Sequence, residues 1–180
     1  MTQATQTDLK NPHIPLCFDT SAVFGKSGAP KDLGVIRKRF PTRLLIIPSI
    51  VAAERIRQLR ADFGTGFNWQ LIHNFLDDPK LNLQIYPFAG STVRARRSHN
   101  ERTISYWLDV VGAIDKDEWK KREKGRFADH AIFAIARESG SILVTSENQT
   151  GSGLRQQVEL SGYQPGMATM QVILDACNSR

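Results

Sequence analysis

The sequence predicts an α/β fold, with one domain built on a central parallel β-sheet flanked by α-helices. Three observations carry this expectation. Short apolar runs at residues 14–18, 44–47, Leu83–Tyr86 and Ile142–Thr145 have the length of buried strands. Segments with helical spacing separate those runs, and alternating strands and helices imply parallel pairing through crossovers. The length, 180 residues, suits one domain with its own core.

In chain order, residues 1–12 are rich in Thr and Gln and lack apolar periodicity, so they are expected to be a flexible arm ahead of a domain over 13–180. The first strand covers 14–18 and ends at Asp19-Thr20-Ser21. A Gly/Ser/Pro loop at 25–30 precedes a short helix at 31–40. After the strand at 44–47, Pro48-Ser49 opens a helix to about Arg60, with Ser49 as its N-cap. A helix at 68–76 leads to the strand Leu83–Tyr86 and a loop at 87–91. Within an extended helical segment at about 89–126, Ile104, Leu108, Val111 and Ile114 recur at steps of four and three. A helix at 126–138 is stopped by Gly140, and the strand Ile142–Thr145 follows. The tail reads as a helix at 154–160, a short strand near Tyr163, Pro165 and a helix at 168–177.

Composition narrows the function. The hydrophobic fraction of 41% and charged fraction of 23% are ordinary for a globular protein. No apolar run reaches the roughly 18 residues of a membrane span, and Met1 to Lys10 has no signal-peptide core, so a cytoplasmic protein without membrane association is expected. Cys17 and Cys177 form no CxxC or Cys/His cluster, which argues against zinc. Cys17 reads as a small buried hydrophobe. The net charge of +6 is compatible with a polyanionic partner.

In open α/β sheets the functional crevice lies beyond the carboxyl ends of the strands. Asp19 directly follows the first strand, and Glu147 stands two residues beyond the strand ending at Thr145. Glu54 and Asp129 sit near the starts of helices that begin at the same edge. Asp129 shares a helix face with Ile132, Phe133 and Ala136, so it is expected to be buried. Each acid also has an ordinary reading. Asp129 would favour a helix N-terminus, and Glu54 would pair with Arg57 one turn on. Asp19 would cap a turn, and Glu147 would be a solvated loop acid. Taken together, four converging carboxylates would repel one another unless cations lay between them. An all-oxygen donor set suits Mg2+ or Mn2+, and metal-assisted phosphodiester hydrolysis is the chemistry such a site serves.

Four motifs, LCFDTS (16–21), IPSIVAAERIRQ (47–58), FADHAIFAIARESG (127–140) and ILVTSEN (142–148), stand in the order of the PIN domain. The sequence most resembles the VapC-type toxins of bacterial toxin–antitoxin pairs. The stretch YQPGMATMQVILDA (163–176) resembles that family's final strand and helix. The resemblance covers roughly 14–60 and 125–175. It implies a metal-dependent ribonuclease in which Asp19 matches the first-strand aspartate and Glu54 the second-helix glutamate. Asp129 matches the aspartate of the family's D-A-hydrophobic-hydrophobic-A helix. Glu147 falls where the family often has the last acid of T-x-D. The chain departs from the pattern in three places: Glu147 is a methylene longer than Asp, His130 replaces a small residue, and the 89–126 segment is longer than in a minimal toxin.

The resemblance also implies a cognate antitoxin and a homodimer paired through helices. Asp19, Glu54 and Asp129 would hold the principal metal, with Glu147 completing the site. Thr20, Ser21 and Thr145 would orient the acids through hydrogen bonds, or else serve as ordinary turn hydroxyls. Two basic clusters are candidates for the RNA backbone: Arg94, Arg96 and Arg97, and Lys120, Lys121, Arg122, Lys124 and Arg126. Each reads equally as a solvated helix face. The competing functions are a housekeeping RNA-processing PIN nuclease, a receiver-like phosphoryl-transfer domain, and a catalytically inactive PIN-fold scaffold.

Overall fold

A computed structural model of the chain describes residues 3–25, 30–63, 70–86, 127–146 and 153–179. Strand β1 (Leu16–Phe18) is three apolar residues, all buried, as expected of a strand covered on both faces. β2 (Leu45–Pro48), β3 (Leu83–Tyr86), β4 (Ile142–Thr145) and β5 (Met167–Thr169) join it in one parallel sheet of order β3-β2-β1-β4-β5. The register is fixed at the centre, where Leu16 pairs with Leu45 and Ile142, and Cys17 with Ile46 and Leu143. From β1 the chain runs outward through β2 and β3, then returns to β4 on the other side of β1. The order therefore reverses between β1 and β4, which is where an open parallel sheet has its crevice.

Helices α1 (Gln6–Lys10), α2 (Thr20–Val23), α3 (Gly34–Arg39), α4 (Ser49–Phe63), α5 (Gln70–Leu76), α6 (Phe127–Ser139), α7 (Gly153–Ser161) and α8 (Met170–Asn178) surround the sheet. α6 lies across β1, β2 and β4 and packs on α4 and α7, with Ile132, Ile135 and Ala136 fully buried. α8 gathers α1 and α3. The α6 stop works as its sequence suggests. Gly140 takes φ +61°, and the next residue, Ser141, returns its N–H to the Ala136 carbonyl at 2.9 Å.

Several expectations shift. Residues 3–11 of the presumed loose arm are docked. Thr5 and Asp8 form a reciprocal capping box on α1, Leu9 is buried, and the Ala4 N–H reaches the Met167 carbonyl at 2.9 Å. One leucine and a cap supply what the polar composition hides. The final strand is at Met167–Thr169, not near Tyr163, because Tyr163 is instead held in the preceding turn by its hydroxyl, whose single proton is shared between the Ala136 and Ser141 carbonyls. Residue 168 is thus in a strand, and α8 starts at Met170 with Thr169 as its N-cap. α3 starts at Gly34, later than expected, because the Asp32 side chain accepts from the Gly34 N–H at 2.7 Å and holds a non-helical turn. Ser49 is the first residue of α4, and β2 runs through Pro48. Both cysteines are buried and free. The helical segment expected at 89–126 lies outside the described residues. No helix among the described residues is long and apolar enough to cross a membrane.

Candidate active site

The site begins at the carboxyl end of β1. The Asp19 N–H donates to the Val144 carbonyl at 2.9 Å, so the backbone still follows β4 when the side chain emerges. Asp19 is the N-cap of α2, and its carboxylate accepts from the Thr20 N–H at 2.7 Å. The Ser21 hydroxyl donates to the other Asp19 oxygen at 2.6 Å. That same hydroxyl accepts from the Ser146 N–H at 3.2 Å, tying the end of β4 to the Asp19 turn. Asp19 itself is buried, at 5% exposure. Behind it, burial first and the Asp19 charge second push the Cys17 thiol up, so Cys17 stays a neutral core residue.

α4 brings in the second acid. β2 turns into α4 without a loop, which places residue 54 one helical turn in from the same edge. The Thr20 hydroxyl donates to Glu54 Oε2 at 2.5 Å. Thr20 therefore holds both acids, Asp19 by its N–H and Glu54 by its hydroxyl. The Arg57 side chain lies outside what the structure describes, so the anticipated Glu54–Arg57 pair is not in view. α6 brings the third acid. Asp129 stands in its first turn, half-buried rather than fully buried, while Ile132 and Ala136 on the same face go into the core. The cleft explains the difference, because the helix start opens onto it.

Asp19, Glu54 and Asp129 all line one cleft of about 770 Å³. That volume is in the range of ligand-binding clefts. Its remaining wall includes Thr20, Ser21, Lys31, Arg55, Gln58 and Ser146, with Met170, Gln171 and Leu174 of α8. Thr145, expected to orient an acid, is buried below the cleft and donates to the Ser146 carbonyl at 3.4 Å. The next residue, Ser146, reaches Asp19 by its N–H through the Ser21 hydroxyl. Glu147 and the two basic clusters (Arg94, Arg96, Arg97, and Lys120 to Arg126) lie outside the described residues.

Among the described residues no three acidic, histidine or cysteine side chains form a ready-made metal cluster. Mg2+ does not require one. It is commonly held by one or two carboxylates, with waters and substrate phosphates completing its shell. Three carboxylates opening on one cleft, two of them linked through Thr20, give the hard oxygen donors that Mg2+ and Mn2+ prefer.

Two cations in the cleft escaped the sequence reading. Lys31 donates from Nζ to the Ser21 carbonyl at 2.9 Å. Arg55, 7% exposed, donates to the Gly25 carbonyl at 2.9 Å and to Gln58 Oε1 at 2.8 Å. Lys31 lies in a Gly/Pro-rich stretch with no pattern to mark it. Arg55 was visible only as the neighbour of Glu54. No protein-family model matches the chain, and neither the curated proteins nor the solved structures contain a match.

Proposed function

We propose that the chain is a metal-dependent ribonuclease of the PIN type that hydrolyses RNA phosphodiester bonds. The observation that carries this reading is the convergence of Asp19, Glu54 and Asp129, from three separate elements, on one cleft where the sheet order reverses. The motif order and the carboxylates support each other: of the four acids matched by resemblance, the three that the structure describes, Asp19, Glu54 and Asp129, share the cleft.

In this reading Asp19, Glu54 and Asp129 hold Mg2+ or Mn2+. The ion would supply Lewis acidity toward a phosphate oxygen and lower the pKa of a water. The chain's own part is positional. Thr20 and Ser21 fix the carboxylate oxygens of Glu54 and Asp19, and so the direction of their lone pairs. One of the three carboxylates takes the proton from the attacking water as general base. The burial of Asp19 limits competing water and strengthens its electrostatic pull.

The toxin of a toxin–antitoxin pair, acting in the cytoplasm as a homodimer, is the form the VapC resemblance favours. A small antitoxin gene beside this one and a dimeric mass in ultracentrifugation are its expected signatures. A lone gene would point to the housekeeping RNA-processing alternative.

The nuclease reading is tested by cleavage of single-stranded and structured RNA with wild type and Asp129→Asn, in Mg2+, Mn2+ and EDTA. Metal-dependent cutting that the substitution abolishes is the expected result. Equal cutting by the variant would refute the site, and folded wild type inert on a broad RNA panel would favour the scaffold alternative.

A further inference from the structure

We infer that Lys31 and Arg55 form a phosphate-binding wall of the acid-lined cleft, taking a phosphodiester of the RNA strand next to the one that reacts. The inference rests on the nuclease reading for its substrate, RNA, and on the cleft itself for its geometry.

The described charged lining of the cleft is three carboxylates and two cations. A bare set of acids repels a nucleic-acid strand. A bound divalent ion offsets that repulsion at the acids alone. The strand's charge does not end there, since every residue of an RNA chain carries a phosphate. A cleft that admits a continuous strand needs positive charge beside the acids as well as between them, and Lys31 and Arg55 are placed to supply it.

The two side chains divide the task. Arg55 is buried and anchored at both ends of its guanidinium, on Gly25 and Gln58, so its charge is fixed within the cleft wall. It is also the chain neighbour of Glu54 on α4, so one helix turn presents an acid and a cation to the same space. Lys31 is half-buried and spends one ammonium donor on the Ser21 carbonyl. An ammonium carries three donors, and the remainder suit an anionic oxygen. Ser21, whose carbonyl holds Lys31, also gives its hydroxyl to Asp19, so the cation and that acid share one anchoring residue. The cleft thus carries two cations as well as three acids, which suits a substrate with successive phosphates better than a lone phosphate monoester.

The test is binding, so that it does not depend on turnover. Labelled single-stranded RNA is titrated, in Mg2+ over a range of KCl, against Asp129→Asn with Lys31 intact, with Lys31→Gln and with Lys31→Arg. Glutamine keeps a donor for the Ser21 carbonyl and loses the charge, which separates phosphate binding from a purely positional role. The expected result is weaker binding by Lys31→Gln, with a salt slope shallower by about 0.7, the value of one phosphate contact on a single strand. Lys31→Arg should restore the slope. Arg55 is buried, so Arg55→Gln is compared only if its thermal melt matches wild type. A second arm replaces single phosphates of the RNA by neutral methylphosphonate. One position, distinct from the cut, should weaken binding to the Lys31 protein and leave Lys31→Gln unaffected. Equal slopes for Lys31 and Lys31→Gln would overturn the inference while leaving the nuclease reading intact. A shallower slope for Lys31→Gln, together with a folded wild type (Asp129 intact) that cuts no RNA, would retain the phosphate wall and reject the nuclease.

Discussion

The hydroxyl of Thr20 donates to Glu54 across 34 positions of sequence, at 2.5 Å, and joins the turn after β1 to the second turn of α4. The same residue gives its N–H to Asp19. The relative placement of two of the cleft's acids thus depends on one small side chain.

Thr20→Val keeps the volume and removes the hydroxyl. Loss of a partner that orients a metal-holding carboxylate typically weakens metal affinity or activity by about 10–100-fold. The Mg2+ concentration giving half-maximal RNA cleavage should rise for Thr20→Val and stay near wild type for Thr20→Ser. An unchanged Mg2+ dependence in the valine variant would remove Thr20 from the site.

Metal binding should also register as stability. A ligand at a hundred times its dissociation constant stabilises the folded state by about 2.7 kcal/mol. In a domain of this size each kcal/mol raises Tm by roughly 2–4 °C. Saturating Mn2+ should therefore raise the wild-type Tm by several degrees, and Asp129→Asn should lose most of that shift. A shift of equal size in both proteins would place the ion elsewhere.

Tyr163 ties the turn after α7 to the end of α6: its hydroxyl lies 2.7 Å from both the Ala136 and Ser141 carbonyls, which share its single proton, and its ring packs edge-on against Phe133. Burial pushes its phenol above the ordinary value of 10.0. The folded state thus holds this proton more tightly than the unfolded chain. The stability it confers is complete below pH 10.0 and falls as pH rises beyond it. Tyr163→Phe should cost about 1 kcal/mol at neutral pH and flatten the alkaline fall in denaturant midpoint relative to wild type. Parallel curves for the two proteins would contradict the assignment.

Arg43 is 1% exposed and is satisfied by main-chain carbonyls of Leu9, Asp8 and Ile14, with its guanidinium 5.0 Å from the Phe40 ring centre. Burial lowers its pKa to about 10, so it remains charged at neutrality. Arg43→Met strips those carbonyls of their donor and should cost about 2–4 kcal/mol. It should also free α1, exposing the bond after Lys10 to trypsin under native conditions. Resistance equal to wild type would mean that α1 docks by Leu9 alone.

The sheet and the three acids were legible because their signals are local. Asp19 terminates an apolar run, and Asp129 opens an amphipathic helix. Lys31 and Arg55 were not, because what matters about them is which cleft they face, and that is set by tertiary packing. Thr5 and Asp8 show a different failure. Their spacing is that of a capping box, yet the polar sequence around them outweighed it. β5 was misplaced because Met167, Ala168 and Thr169 are too few and too mixed to alternate visibly, and because Tyr163 has the composition of a strand while serving as a brace.

The bridge between Gln3 and Met167 falls on the outer side of β5, whose inner side is taken by β4. An open edge of that kind is a template on which another chain's strand can grow. Here the chain's own beginning occupies part of it. Proteins lacking the first five residues should therefore be more prone to ordered aggregation along β5.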